Sequence, residues 1–143
     1  MSYVKVVPIE FNHCDPAGIV FYPRYFEMIN SVVENFFADV VGCSFAQMHA
    51  EGHGNGVPTV HLDCDFRAPS RLGDKVPFTL VVRAVGRSSL TMDITAGTAG
   101  DERLSAGLKV VWIKGGRAAP WPDALRARLE EELAKGDRDG QPA

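Results

Sequence analysis

Ten consecutive residues, His13-Cys14-Asp15-Pro16-Ala17-Gly18-Ile19-Val20-Phe21-Tyr22, run directly into a helix-forming stretch that begins at Pro23. They combine an acidic side chain, a glycine-bearing turn and a helix N-terminus. A carboxylate can attack an electrophile or activate water. Outward-facing N–H groups at a helix start can stabilise the charge that develops on oxygen when a carbonyl is attacked. Acyl-transfer chemistry is the reading this spacing supports. An Asp-Pro pair also opens ordinary turns, so the flanking pattern, rather than Asp15 alone, carries it.

Other chemistry-bearing residues compete with this segment or support it. Cys14 adjoins Asp15, but strand-like alternation turns it away and no base pairs with it by pattern; it reads as a packed thiol. His13 is placed either to orient Asp15 and tune its acidity or to make a local loop hydrogen bond. His49 and His53 are four apart, yet the intervening Ala50-Glu51-Gly52 is not the HExxH arrangement, and no metal is expected. His61, Asp63 and Asp65 share one strand face, which either lines a site across a subunit boundary or is simply solvated. The two aspartates are rival carboxylates to Asp15. Arg87 with Ser88 and Ser89 offers donors for a phosphate, or is a plain hairpin connection. Arg117, Arg126 and Arg128 add positive charge near the C-terminus that either extends a phosphate site or solubilises the last helix, and the second is the favoured reading.

These residues must be held by regular elements. Residues 3–11 read as a first strand, with Pro8 marking a sheet edge or bend. Pro23 suits a first helical position. From there to Val41 the apolar residues Tyr25, Phe26, Ile29, Val32, Val33, Phe36, Phe37 and Val40 fall at helical spacing, for a helix roughly 28 Å long. Gly42 is its stop. Residues 43–56 read as loop or irregular helix. Period two then takes over. Val60, Leu62, Cys64 and Phe66 predict a strand with one buried face. Val76 to Ala84, Leu90 to Ala96 and Leu104 to Trp112 predict three more, joined at Gly86-Arg87-Ser88 and Gly100-Asp101. Residues 123–134 form a terminal helix. The expected architecture is α+β: one long helix wrapped by a curved antiparallel sheet of about five strands. Residues 1–135 make a single domain, and 136–143 a flexible tail. The partly apolar outer face, with Thr79, Val81, Val85, Val111 and Ile113, predicts contact with a second subunit.

The chain has 143 residues, 45% hydrophobic and 23% charged, enough for one domain with a real core. A net charge of −3 without a basic run excludes nucleic acid as the natural partner. No apolar stretch approaches the roughly 20 residues that span a bilayer, so no membrane partner is expected. The N-terminus lacks a secretory pattern. Three cysteines without CxxC spacing fit a reducing cytoplasm.

The segment Asp15-Pro16-Ala17-Gly18-Ile19-Val20-Phe21-Tyr22-Pro23-Arg24-Tyr25 resembles the hotdog-fold acyl-CoA thioesterases, specifically the 4-hydroxybenzoyl-CoA thioesterase branch. A second block, Val60 to Phe66, Arg67-Ala68-Pro69 and Gly73-Asp74, is similar to hotdog proteins more widely. The resemblance runs over roughly residues 5–115. It implies hydrolysis of an acyl-CoA thioester without metal or redox cofactor, in homodimers or homotetramers with active sites at the subunit boundary. Asp15 matches the family's catalytic carboxylate, as nucleophile or as base toward water. The Tyr22 backbone N–H matches the group that polarises the thioester carbonyl, and Gly18 the turn that admits the substrate. Arg87 and Ser88 match a connection that contacts CoA. Tyr22, where an aliphatic-substrate branch carries His, points to the aromatic branch. The expected site is therefore Asp15, Gly18 and Tyr22 at the reacting centre, with His13, Pro16, His61, Arg87 and Ser88 toward the substrate.

Three rivals stand beside this expectation. An acyl-carrier-protein thioesterase would want a basic docking patch, and the net charge offers none. A hotdog dehydratase needs a His and acid pairing that the loop does not supply. A non-catalytic acyl-CoA-binding module would have little use for Asp15.

Overall fold

The computed structural model describes residues 2–139. Its centre is a five-stranded, wholly antiparallel sheet of β1 (Tyr3–Pro8), β2 (Thr59–Phe66), β3 (Lys75–Val85), β4 (Ser89–Thr98) and β5 (Asp101–Val111). The strand order is β1-β3-β4-β5-β2. The β3-β4-β5 meander follows from the predicted tight connections. β1 and β2 take the two edges, as Pro8 required of β1.

α1 (Arg24–Phe36) lies across the inner face and buries Tyr25, Met28, Ile29, Val32, Val33 and Phe36. They meet the inward rows Val76-Phe78-Leu80-Val82, Leu90-Met92-Ile94-Ala96 and Leu104-Ala106-Leu108-Val110. The helix continues as a π-helical turn over Phe37–Val41 and ends at Gly42, whose φ of 85° is the left-handed stop the sequence predicts. Phe37 and Trp112 flank Trp121 in a stack, with ring centroids 6.2 and 6.0 Å apart.

Several expectations need correction. The first strand stops at Pro8, and Phe11–His13 turns as a 3-10 helix closed by reciprocal Glu10 and His13 bonds. Within 43–56 lies a regular helix, α2 (Phe45–Glu51). Ser44 caps it, accepting from the Gln47 N–H at 3.1 Å while Gln47 accepts from the Ser44 N–H at 2.7 Å. Ala84 is exposed because a register shift between Val82 and Ala84 breaks the alternation. The apolar row of β2 is not buried: Val60 is 58%, Leu62 37% and Phe66 47% exposed. A sheet of five strands is roughly 19 Å wide, and one helix of about 10 Å cannot cover it.

A two-residue hairpin, β6 (Ile113–Lys114) and β7 (Arg117–Ala118), turns at Gly115-Gly116. The last helix, α3 (Asp123–Asp139), is longer than the expected 123–134. It is helical through residues 136–139, where a tail was expected; residues 140–143 lie outside the described residues. β1 pairs β3 only between Lys75 and Leu80. α3 packs over β3 with Leu125 and Leu129 buried, and Gly136 rests on its uncovered end, where a Cβ would stand 2.8 Å from the Val82 carbonyl oxygen. α3 so protects an edge that β1 leaves open. Among the described residues no helix is long and apolar enough to cross a membrane.

Candidate active site

Residues 13–21 fold into a narrow hairpin. The Phe21 N–H donates to the His13 carbonyl at 2.9 Å, the Asp15 N–H to the Ile19 carbonyl at 3.0 Å and the Gly18 N–H to the Asp15 carbonyl at 3.0 Å. Cys14 faces Val20 across an antiparallel bridge. The tip turns at Gly18, whose φ of 78° favours glycine. Asp15 Oδ1 accepts from the Ala17 N–H at 2.9 Å, which orients the carboxylate. Among the described residues no hydrogen bond reaches its second oxygen. Asp15 lines an open concavity of about 380 Å³ with Phe11, Cys14, Pro16, Gly18 and Leu72. Phe11 is 82% exposed, so the carboxylate has an apolar, uncovered neighbour.

The second arm of the hairpin becomes α1. The first turn forms as the Arg24 N–H donates to the Phe21 carbonyl and the Tyr25 N–H to the Tyr22 carbonyl, at 2.8 and 3.1 Å. Pro23 has no N–H to satisfy. Among the described residues the Tyr22 N–H donates to nothing, as the orphan donors of a helix start do. The Tyr22 ring is 59% exposed and packs edge-on against Phe66 of β2, centroids 5.9 Å apart.

A second turn, residues 67–74, buttresses the hairpin. The Val20 N–H donates to the Ser70 carbonyl at 2.9 Å, and the Leu72 N–H to the Gly18 carbonyl at 3.0 Å. Ser70 is fully buried, and its hydroxyl accepts from Tyr25 Oη at 2.9 Å and from Arg103 Nη1 at 3.1 Å. Arg103 also donates to Asp74 at 2.8 Å and to Asp101 at 2.9 and 3.3 Å. The Arg71 N–H and the Arg103 guanidinium hold the Asp74 carboxyl below its ordinary pKa.

Of the expected site residues, Asp15, Pro16 and Gly18 come together in one concavity, and Tyr22 lies farther along the same hairpin. Within the single chain the others do not join them. The His13 ring accepts the Glu10 N–H at 2.8 Å and lines a different groove, between β1 and α1; only its carbonyl belongs to the hairpin. His61 pairs with Asp63 at 3.1 Å. With Asp65, Arg83, Asp93 and Lys109, these two line a concavity of about 900 Å³ on the outer face of the sheet, away from α1. This larger hollow is not where the Asp15 hairpin lies. Arg87 and Ser88 cap the far end of the β3–β4 hairpin, roughly 30 Å from the 67–74 turn by strand rise. Their carbonyls accept from Trp121 and Trp112 N–H groups. Cys14 donates to the Glu10 carbonyl at 3.5 Å, as a packed thiol would.

Sequence reasoning passed over Arg103, Ser70 and the Tyr25 hydroxyl. Tyr25 carried one signal, since a tyrosine on a buried stripe needs a partner for its hydroxyl. Nothing in the local pattern points to Arg103.

The model of the thioesterase-like superfamily matches residues 9–129 of the chain. A 1,4-dihydroxy-2-naphthoyl-CoA hydrolase from Synechococcus elongatus is 25% identical over 85 residues, 59% of this chain and 62% of that protein. A 4-hydroxybenzoyl-CoA thioesterase from Pseudomonas sp. strain CBS-3 is 28% identical over 81 residues, 57% of each chain. The chain thus spans about three-fifths of the length of these relatives. The structure of a gentisyl-coenzyme A thioesterase superposes with a TM-score of 0.80 at 25% identity, covering 89% of this chain and 99% of that one.

Proposed function

Because the chain belongs to the thioesterase-like superfamily, we propose that it hydrolyses an acyl-CoA thioester carrying an aromatic acyl group, of which 4-hydroxybenzoyl is the model, to the free acid and CoA. The observation that carries this reading is the hairpin. It presents a carboxylate with one oxygen uncommitted and, at the entry to α1, an N–H with no partner among the described residues. Both relatives described above are named for aromatic CoA thioesters.

The Asp15 carboxylate acts on the thioester carbonyl carbon by one of two routes. As a nucleophile it adds to the carbonyl, the tetrahedral oxyanion collapses with loss of CoA thiolate, and the mixed anhydride is cleaved by water, which restores the carboxylate. As a general base it takes a proton from the water that attacks. In either route the Tyr22 N–H donates to the carbonyl oxygen, and the helix start favours the charge that gathers there. Neither route calls for a metal or redox group. Phe11, Leu72, Phe21 and Phe66 supply exposed apolar surface around the loop for an aromatic ring.

The working assembly is a homodimer or a pair of dimers. The exposed Val60, Leu62 and Phe66 on an edge strand call for cover, and a second copy provides it if β2 pairs antiparallel with its own image. Such a two-fold sets the β3–β4 connection of one copy toward the catalytic loop of the other. The partner's Arg87 and the partner's Ser88 then serve the CoA phosphates that this chain's own Arg87 is too distant to reach. Within one chain the concavities at His13 and His61 lie apart from the Asp15 hairpin. All three cysteines are unpaired, in keeping with a cytoplasmic location.

Thiol release from a panel of CoA thioesters tests the substrate class. Turnover of 4-hydroxybenzoyl-, benzoyl- or phenylacetyl-CoA well above that of aliphatic chains is expected. Turnover of aliphatic thioesters alone would keep the mechanism and overturn the aromatic assignment. No release from any member would overturn the reading itself.

A further inference from the structure

We propose that Arg103, which touches neither Asp15 nor the Tyr22 N–H, is a positioning residue that sets the geometry of both from beneath the 67–74 turn. The inference rests on the thioesterase reading given above.

Arg103 lies near the start of β5. Its backbone carbonyl accepts from the Arg67 and Ala68 N–H groups at 2.8 and 3.2 Å, so strand pairing holds the backbone whatever the side chain is. The guanidinium has a separate task. It spends its donors on Asp101, Asp74 and the hydroxyl of Ser70. A planar fork can hold two carboxylates and a hydroxyl at fixed angles, which an ammonium cannot. Ser70 passes that placement on in two directions. Its carbonyl holds the Val20 N–H, on the arm opposite Cys14, and its hydroxyl holds Tyr25, in the first turn of α1. Two residues later, the Leu72 N–H holds the Gly18 carbonyl at the hairpin tip. The carboxylate hairpin and the helix start that carries the Tyr22 N–H therefore share one anchor.

That anchor is water-poor: Ser70 is fully buried and Arg103 mostly so. Removing the guanidinium leaves the Ser70 hydroxyl short of a donor and Asp74 without its cation, and the turn shifts to find water. A shift of about 1 Å in a reacting group costs roughly 10²-fold in rate. Of the apolar rim only Leu72 lies on the turn that shifts, so substrate affinity, set mainly by the other rim residues and the CoA contacts, changes little.

Arg103→Met and Arg103→Lys test the inference beside Leu129→Ala, a core truncation in α3 that destabilises without touching the loop. Two readouts are taken. Amide exchange at Val20 and Leu72 is expected to quicken by more than about 10-fold in Arg103→Met while the Leu90 and Met92 amides keep their protection. With the thioester that the wild type turns over best, kcat is expected to fall about 10²-fold with KM within about 3-fold. Lys should give partial recovery, and Leu129→Ala should lower Tm but not kcat. In an Asp15→Asn background the Arg103→Met effect on residual turnover should shrink without vanishing, because the carboxylate is gone while the Tyr22 N–H still depends on the shared anchor. Unchanged exchange at Val20 and Leu72, or a kcat loss that tracks Tm equally in Leu129→Ala, overturns the proposal. If the wild type releases no thiol at all, the thioesterase reading fails, and the exchange measurement alone decides whether the clamp exists.

Discussion

At the scale of single residues, the proposed chemistry turns on what Asp15 and its neighbours can reach. The Asx turn to Ala17 leaves one carboxylate oxygen available. If that oxygen is the nucleophile and water cleaves the anhydride at the Asp15 carbonyl, a single turnover in labelled water places the label in Asp15 and none in the first acid released; a base mechanism, or cleavage at the acyl carbonyl, labels the acid at once. Gly18 is a second residue with a sharp prediction. A Cβ there would meet no atom within 4 Å, so Gly18→Ala carries only the cost of a left-handed backbone at φ 78°, about 1–2 kcal/mol. Its Tm should fall by a few degrees with kcat reduced and no loss of solubility; an unchanged Tm would mean the turn relaxes. The parts proposed for Gly18 and Tyr22 come from the resemblance to the hotdog thioesterases, while residue types and spacing point to Asp15 with the glycine-bearing turn and helix start beside it. They do not expose Arg103 or Ser70, because their partners are brought together by strands distant in sequence and a lone arginine beside an apolar row has no period to betray it.

At the scale of elements, the paired turns are what position the chemistry, and they carry a pH signature. Asp74 is held below its ordinary pKa by the Arg71 N–H and by Arg103. A carboxyl depressed in the folded state contributes stability above its unfolded pKa, near 3.9, and loses it as pH falls through the lower folded value. Asp74→Asn should therefore be less stable than wild type at neutral pH, with the difference in Tm shrinking as pH drops below about 4. A difference constant with pH would contradict the pairing. The α2 cap gives a simpler case: Ser44→Ala should cost about 1 kcal/mol in chemical denaturation. Most elements are legible from periodicity, including the β3-β4-β5 rows and the Gly42 stop. The Ser44-x-x-Gln47 box was equally legible and marks α2, which glycines farther along obscure. The burial of β2 was not legible, because alternation says which residues share a face and not whether anything lies over it.

At the scale of the whole molecule, the exposed face of β2 and the distance from the Asp15 hairpin to Arg87 both favour the proposed second copy. Leu62→Lys, in the middle of that strand, should put like charges across the proposed two-fold and shift the protein toward monomer in sedimentation at micromolar concentration, with activity lost in step. A variant that stays dimeric and active would move the interface elsewhere. The α+β class and the five-stranded sheet follow from the sequence of apolar rows. The terminal helix is read over 123–134, but its continuation to Asp139 and its seal on β3 are not, since Gly136 reads as a helix breaker until the close approach to the Val82 carbonyl is seen. The most direct test of the central claim is thiol release from 4-hydroxybenzoyl-CoA by wild type and Asp15→Asn side by side, with circular dichroism on both. Turnover in the wild type and a loss of about 10³-fold in kcat in a folded variant are expected. Near-normal turnover by Asp15→Asn would contradict that claim.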